Sequence, residues 1–359
     1  MKPDLLEFYT DYLISSFGQT SATGLSNLLE GAISHDAITR MLSKELLTQK
    51  DFWLLVKKTV RQIESDDGVI IIDDSIEEKP YTDENDIVCW HYDHCKNRNV
   101  KGINFLTSLY HSNGLSIPVT YQIVAKTELV TDKKTGKQKR ISPKTKNEYF
   151  REMLATCKQN SIKFRYVIND VWYSSAENMM FVKKNIERDF VMPLKSNRKV
   201  ALSLEDKLNG RYQVLSTVQI ELNTVRKIYL EGVDFPLLLV KQVFTNADGS
   251  TGILYLATSD QTLDYELITT IYQKRWKVEE YHKSLKQNAS LEKSPTKTLV
   301  TQSNHFFASL FAYYKLEMLK MASNLNHFAI KSKIYLKALY SAFKELEKLK
   351  KIYQEKCFA

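Results

Sequence analysis

The sequence predicts an α/β protein: a mixed sheet with helices on both faces, interrupted by an all-β block and flanked by helical N- and C-terminal regions. Three observations predict it. Residues 69–72 form a short, wholly apolar, β-branched run of the kind that fills a buried central strand. Asn113-Gly114 parts two apolar, strand-like runs and is a strong hairpin signal. Residues 197–259 switch to alternating strands, and helical periodicity returns after them.

In chain order, residues 1–66 read as helices. Within them, Leu25 to Leu29, a turn containing Gly31, and Ser34 before HDAITRMLSKELL form a helix–turn–helix pattern. It places His35, Thr39, Arg40 and Lys44 on the exposed side of the second helix, where Arg40 and Lys44 could meet DNA. An ordinary αα-hairpin fits the same pattern equally well. Residues 102–110 and 115–124 are the strands around Asn113-Gly114. The polar, basic stretch 127–146, with KKTGKQKR at its centre, reads as a mobile loop. Residues 147–159 form a helix, 164–169 a strand, 176–185 a helix and 190–193 a short strand. The block 197–259 holds YQVLSTVQIEL, VRKIYL, FPLLLVKQVF and GILYLAT, parted by turn signals such as Asn246-Ala247-Asp248-Gly249. Helices resume at 263–288 and fill the C-terminus, whose last segment has the periodicity of a packing or partner surface. No internal repeat is evident. Strand, two-strand hairpin, helix, strand, helix, strand, helix is the order of an RNase H-like fold.

Composition narrows the function class. The 359 residues suffice for one large domain with additions or for two, and 43% hydrophobic content supports a packed core. The net charge of +9 favours a polyanionic partner, although a lysine-rich proteome produces the same number. Four cysteines, Cys89, Cys95, Cys157 and Cys357, form no disulfide framework in a chain this long, which points to a reducing compartment. The first residues, MKPDLLEFYTDYL, do not read as a signal peptide, and no run approaches a membrane span. Cys89-x-His91-x2-His94-Cys95 has metal-ligand residue types, but its spacing matches no common structural zinc site.

The residues that carry chemistry lie in three segments. In YQKRWKVEEYHKSLK, residues 272–286, Tyr272, Arg275, Glu279 and Lys286 share a stripe roughly 60° wide if the segment is one helix. A phenol, two cations and a carboxylate on one face suit a metal ion held against a phosphate. Asp73-Asp74 follows the apolar strand, and Asp170 ends the strand FRYVIN. Breaking a phosphodiester calls for a polarised phosphorus, an activated hydroxyl and a stabilised leaving oxygen, which two divalent ions about 4 Å apart supply. Hard Mg²⁺ takes oxygen ligands, so acids from separate segments are the expected protein contribution. The first and fourth strands of this fold are neighbours, so Asp73 and Asp170 can meet, with Glu279 as the third acid. Each acid alone reads equally well as a turn former or helix cap; their joint occurrence favours a site.

With these residues the chain resembles the DDE transposases of bacterial insertion sequences, in the "insertion sequence four" group related to the Tn-five transposase. The group's Y-x2-R-x3-E-x6-K signature is matched at Tyr272, Arg275, Glu279 and Lys286, its first Asp by Asp73 or Asp74, and its second by Asp170. The group's all-β insertion between the second Asp and the Glu is matched by the block 197–259. The resemblance spans about residues 69–290. It implies Asp73, Asp170 and Glu279 as catalytic acids, with Asp74 the alternative metal ligand to Asp73. It implies two Mg²⁺ ions, with Mn²⁺ as substitute. Tyr272, Arg275 and Lys286 would grip phosphates of the transposon end. Trp172, beside Asp170, and the basic cluster Lys133, Lys134, Lys137, Lys139 and Arg140 would touch further DNA. The implied partners are double-stranded DNA, as terminal inverted repeats and target, and a second copy of the chain in a synaptic homodimer. The implied activity is cut-and-paste excision and insertion through a hairpin end, in the bacterial cytoplasm at the nucleoid. The alternatives are a domesticated, non-catalytic DNA-binding protein and an RNase H-like nuclease. The resulting organisation is a helical DNA-binding region at 1–66, a catalytic core at 67–196, the β insertion at 197–259, the rest of the core at 260–296, and a helical region at 297–359. The group can stack a flipped base on a tryptophan of the insertion. This insertion has none, leaving Tyr212, Tyr229, Phe235, Phe244 and Tyr255 as candidate aromatic faces.

Overall fold

The computed structural model describes residues 4–94, 96–131, 136, 138–245 and 248–358. Helices α1 (Leu5–Ser15), α2 (Ala22–Leu28), α3 (His35–Ser43) and α4 (Gln49–Ile63) come first. Strands β1 (Val69–Glu78), β2 (Val88–Asp93), β3 (Arg98–Ser112), β4 (Leu115–Ile123), β5 (Glu128–Thr131) and β6 (Gln138–Ile141) follow. Next come α5 (Lys146–Gln159), β7 (Tyr166–Asn169), α6 (Ala176–Phe181) and β8 (Asp189–Leu194). The block after them holds β9 (Lys199–Ala201), α7 (Leu204–Leu208), β10 (Gln213–Val214), β11 (Arg226–Leu230), β12 (Leu237–Thr245) and β13 (Thr251–Thr258). Helices α8 (Tyr265–Gln273), α9 (Trp276–Gln287), α10 (Leu299–Ser323) and α11 (His327–Phe358) complete the order. The chain divides into two compact units, residues 49–281 and residues 1–48 with 282–359, and the division falls within α9.

The first unit is built on β1. Its Val69, Ile70, Ile71 and Ile72 have no exposed surface, as a wholly apolar β-branched run demands of a central strand. β1 pairs antiparallel with β3 and parallel with β7, which pairs parallel with β8. With β4 antiparallel on β3, the order β4-β3-β1-β7-β8 is the mixed sheet of an RNase H-like fold. Asn113 and Gly114 turn the β3–β4 hairpin with φ of 50° and 75°, the left-handed pair that a two-residue loop of this kind requires. Tyr121 of β4 meets Phe52 of α4 at 6.0 Å and lies opposite Thr107, whose hydroxyl reaches Tyr281 of α9 at 3.3 Å. Lys146 of α5 instead reaches Asp74, on the other side of β1. Helices therefore cover both faces.

Four details depart from the sequence reading. β1 does not stop at Ile72 but continues to Glu78, because the 15-residue β3 keeps pairing with it. β2 is a further edge strand, bonded to the first half of β3. The basic stretch expected as a loop contains a two-stranded sheet, β5 on β6, whose tip lies outside the described residues. The block expected as all-β includes the short helix α7, and its strands extend the main sheet through β13 on β8.

Asp260, just after β13, ties that extension to β7. Its carboxylate accepts hydrogen bonds from Tyr166 Oη at 2.8 Å and Arg165 Nη2 at 2.9 Å, and from Thr262. Burial opposes its ionisation, but the Thr262, Tyr166 and Arg165 hydrogen bonds prevail and hold its pKa down to about 2. Asp260→Ala should cost about 2 kcal/mol in urea unfolding at pH 7, mostly through the stranded Tyr166 hydroxyl. A depressed carboxyl stabilises the fold above its ordinary range near 3.8 and loses that effect as pH falls through about 2. The gap between variant and parent should therefore narrow as pH falls from about 4 toward about 2, leaving only the part due to the missing acceptor for Tyr166; a gap of unchanged size across that range would contradict the electrostatic role.

The second unit is helical. Buried Asn304 of α10 accepts from Leu47 N at 2.8 Å and donates to the carbonyls of Leu42 and Glu45, fixing the end of α3. Tyr9 of α1 reaches His305 Nδ1 at 2.9 Å. Between α2 and α3, Gly31 takes φ 78° and Ser34 caps α3 by accepting from Ala37 N at 3.2 Å. His35, Thr39, Arg40 and Lys44 are all exposed. No helix among the described residues is long and apolar enough to cross a membrane.

Candidate active site

Parallel pairing of β1 with β7 matches Ile72 to Asn169, so the next residues on each strand, Asp73 and Asp170, leave the register side by side. Asp170 precedes a 3-10 turn, Val171–Tyr173, but its side chain makes no capping hydrogen bond. The helix-cap explanation for this acid therefore fails. Asp73 accepts from the Asp74 backbone N–H at 2.9 Å and is otherwise poorly compensated, with a side chain 15% exposed. Burial, then the charges of Asp74 and Asp170, push its pKa up to about 8.

Asp74 points to the opposite face and is saturated. Lys146 Nζ donates to Oδ2 at 2.6 Å, Tyr173 Oη to Oδ1 at 2.5 Å and Asn104 Nδ2 to Oδ2 at 2.9 Å. Burial works against its charge, but Lys146 and these hydrogen bonds hold the carboxyl below the ordinary aspartate range. The two adjacent acids thus have opposite environments. Lys146, Tyr173 and Asn104 escaped the sequence reading because they come from three distant elements, and no local pattern links them to Asp74.

The signature segment is not one helix. α8 ends at Gln273, and i→i+3 bonds from Lys274 and Arg275 to Ile271 and Tyr272 carry the chain into α9. The single straight stripe is therefore corrected to a cluster across a tight turn. Arg275 stands at its centre, with Nη1 3.1 Å from Glu279 Oε1 and 3.8 Å from Asp73 Oδ2. Burial opposes its charge, yet Tyr272, Asp73, Glu279 and Asp170 keep its pKa above the ordinary value. Tyr272 is raised by burial and feels both Asp170 and Asp73. Asp73, Asp170, Tyr272, Arg275 and Glu279 are thus brought together. Lys286 lies further along α9, past the division between the units, with Nζ 4.0 Å from Glu292.

The remaining candidates are scattered. Trp172 is 53% exposed beside Asp170. Lys139 is exposed on β6, and Arg140 bonds Asp86 at 2.7 Å. Lys133, Lys134 and Lys137 lie outside the described residues. Arg40 bonds the Asp36 carbonyl at 3.3 Å, and Lys44 is 3.6 Å from Glu45. Cys89 donates to the Asn85 carbonyl and His91 is buried, while His94 turns outward; Cys95 is not described.

A model of the family described as DDE superfamily endonuclease matches residues 2–213, which include Asp73 and Asp170. The chain belongs to this family. No curated protein matches it. Membership makes DNA the substrate of this DDE endonuclease and divalent metal ions its expected cofactors. Among the described residues no three of His, Cys, Asp and Glu form a preformed ligand group. The donor chemistry still fits a hard divalent ion. All donors are carboxylate oxygens, Asp170 makes no hydrogen bond through its side chain within its turn, and Asp73 is short of positive charge.

Proposed function

We propose that this DDE endonuclease is a transposase that excises and inserts an insertion sequence by cut and paste, through a hairpin at the element's end. The observation that carries this reading is the side-by-side exit of Asp73 and Asp170 from parallel strands, with Asp73 under-compensated and Arg275 set between it and Glu279. Asp73, Asp170 and Glu279 hold Mg²⁺, with Mn²⁺ as substitute, and Asp74 locks β1 to α5 rather than ligating. Ions held by these carboxylates would supply Lewis-acid polarisation of the scissile phosphate and a lowered pKa for the attacking hydroxyl. Arg275 shares Glu279 until DNA arrives, then turns with Tyr272 and Lys286 to the phosphates of the end. Arg40 and Lys44 of α3, in a helical DNA-binding region at the N-terminus, read the inverted repeat. Trp172, the lysine-rich 133–140 segment and Arg140 contact flanking or target DNA. Cleavage of a duplex carrying one element end should need Mg²⁺ or Mn²⁺; undiminished cleavage after exhaustive chelation would overturn the reading.

The same proposal pairs two ends in a homodimer. Leu336, Leu339, Phe343, Leu346 and Tyr353 of α11 are 38–65% exposed and follow heptad spacing. A stripe of that kind is unstable in water and suits a second copy of itself. Phe343→Glu with Leu346→Glu should leave a monomer in sedimentation equilibrium. A dimer that survives both charges would remove α11 from the interface.

A further inference from the structure

An aromatic row near the acid pair has, apart from Trp172, no role in the function proposed above. Trp90 and Tyr92 sit two apart on edge strand β2 and are 54% and 50% exposed. Their partners on β3 are Lys101 and Asn99, which alternate in step with Thr107, the partner of Asp73. They therefore project from the same face of the sheet as Asp73. His94 continues the row: its ring is 4.8 Å from Tyr92 and 4.6 Å from Trp172, tilted 38° to the latter. Trp172 follows Asp170 by two residues. Lys195 Nζ lies 4.3 Å over its ring. All these residues belong to one compact unit.

We propose that Trp90, Tyr92, His94 and Trp172 form a stacking platform for the unpaired bases of a single DNA strand leading to Asp73 and Asp170. Exposed aromatic faces at this density are costly to leave in water, and any base has a π-face to cover them. The row carries few groups that could read base edges, so binding is sequence-tolerant. Lys195 occupies a face of Trp172 through a flexible stem. When a base takes that face, the ammonium moves to the neighbouring phosphate, so the cation is kept while its partner changes. Proximity to the acids assumes the cleavage reading; the stacking itself does not.

The test is fluorescence anisotropy of labelled oligothymidylate with the full chain in chelator. Trp172→Ala should weaken binding about tenfold, and Trp172→Phe, which keeps an aromatic face, only about twofold. Tyr92→Ala, on an exposed strand face, should also weaken it. Lys195→Ala should flatten the salt dependence by about one ion. Blunt duplex should lose much less affinity than the single strand in the Trp172→Ala variant. Equal binding by Trp172→Ala and the parent, or equal losses for Trp172→Ala and Trp172→Phe, would overturn the platform. Because binding is read without metal, a protein that cleaves nothing can pass this test, and one that cleaves normally can fail it.

Discussion

Asp73→Asn should abolish DNA cleavage and yet raise the melting temperature of the metal-free protein. The cleavage loss, roughly a thousandfold or more, follows if Asp73 is one of the three metal ligands of the proposed site. The stability gain follows from electrostatics. Asp73 is buried beside Asp74 and Asp170, and its pKa stands at about 8 against an ordinary 3.8. A raised carboxyl contributes stability that is complete below about pH 3.8 and lost as pH rises through about 8. Asparagine cannot ionise, so the variant should match the parent at pH 3.5, gain from pH 4 to 8, and keep a constant lead of a few kcal/mol above that. Asp74→Asn should do the reverse. Its carboxyl is held low by Lys146 and by the Tyr173 and Asn104 hydrogen bonds, so its stabilisation is present above the ordinary range and lost at acid pH. At pH 7 this variant should lose about 2–4 kcal/mol, because Lys146 and Tyr173 are stranded. Thermal melts across pH therefore separate the neighbours; equal signs for the two variants would contradict their assignment.

That difference between adjacent residues marks where the sequence stopped being legible. The strand signal at 69–72 and the hairpin at Asn113-Gly114 were readable because local chemistry dictates them: burial of a β-branched run, and left-handed backbone at an Asn-Gly turn. The pair of helices α2 and α3 was likewise legible through Gly31 in the turn and the Ser34 cap, a pattern that a helix–turn–helix and an ordinary αα-hairpin share. The extension of β1 to Glu78 was not readable, because it depends on the length of β3, a distant partner. The turn at Lys274 and Arg275 was also hidden. Both residues have good helix propensity, and nothing in YQKRWK breaks the pattern. The candidates Asp73 and Asp170 were picked out by their positions after apolar strand runs and Glu279 by its helical segment, but the environments that separate Asp73 from Asp74 come from β3, α5 and the Val171–Tyr173 turn.

Glu279→Gln should lose cleavage while the end-containing duplex stays bound. The amide keeps the shape of the side chain and removes the charge that a metal would use. It also releases Arg275, whose Nη1 is 3.1 Å from Glu279, toward phosphate. Gel shift should therefore show affinity equal to the parent or a few-fold tighter, and cleavage should fall roughly a thousandfold or more. Cleavage near the parental rate would show that Glu279 is an ion-pair partner of Arg275 and nothing more.

In the proposed mechanism Asp170 holds the ion that drives cleavage. Asp170→Cys tests it most directly, through end cleavage in Mg²⁺ and in Mn²⁺. A thiolate is a poor ligand for hard Mg²⁺ and a better one for the softer Mn²⁺. The account predicts a variant that is inactive in Mg²⁺ and regains cleavage in Mn²⁺, while the parent works in both. A variant that cleaves equally well in the two metals would contradict it.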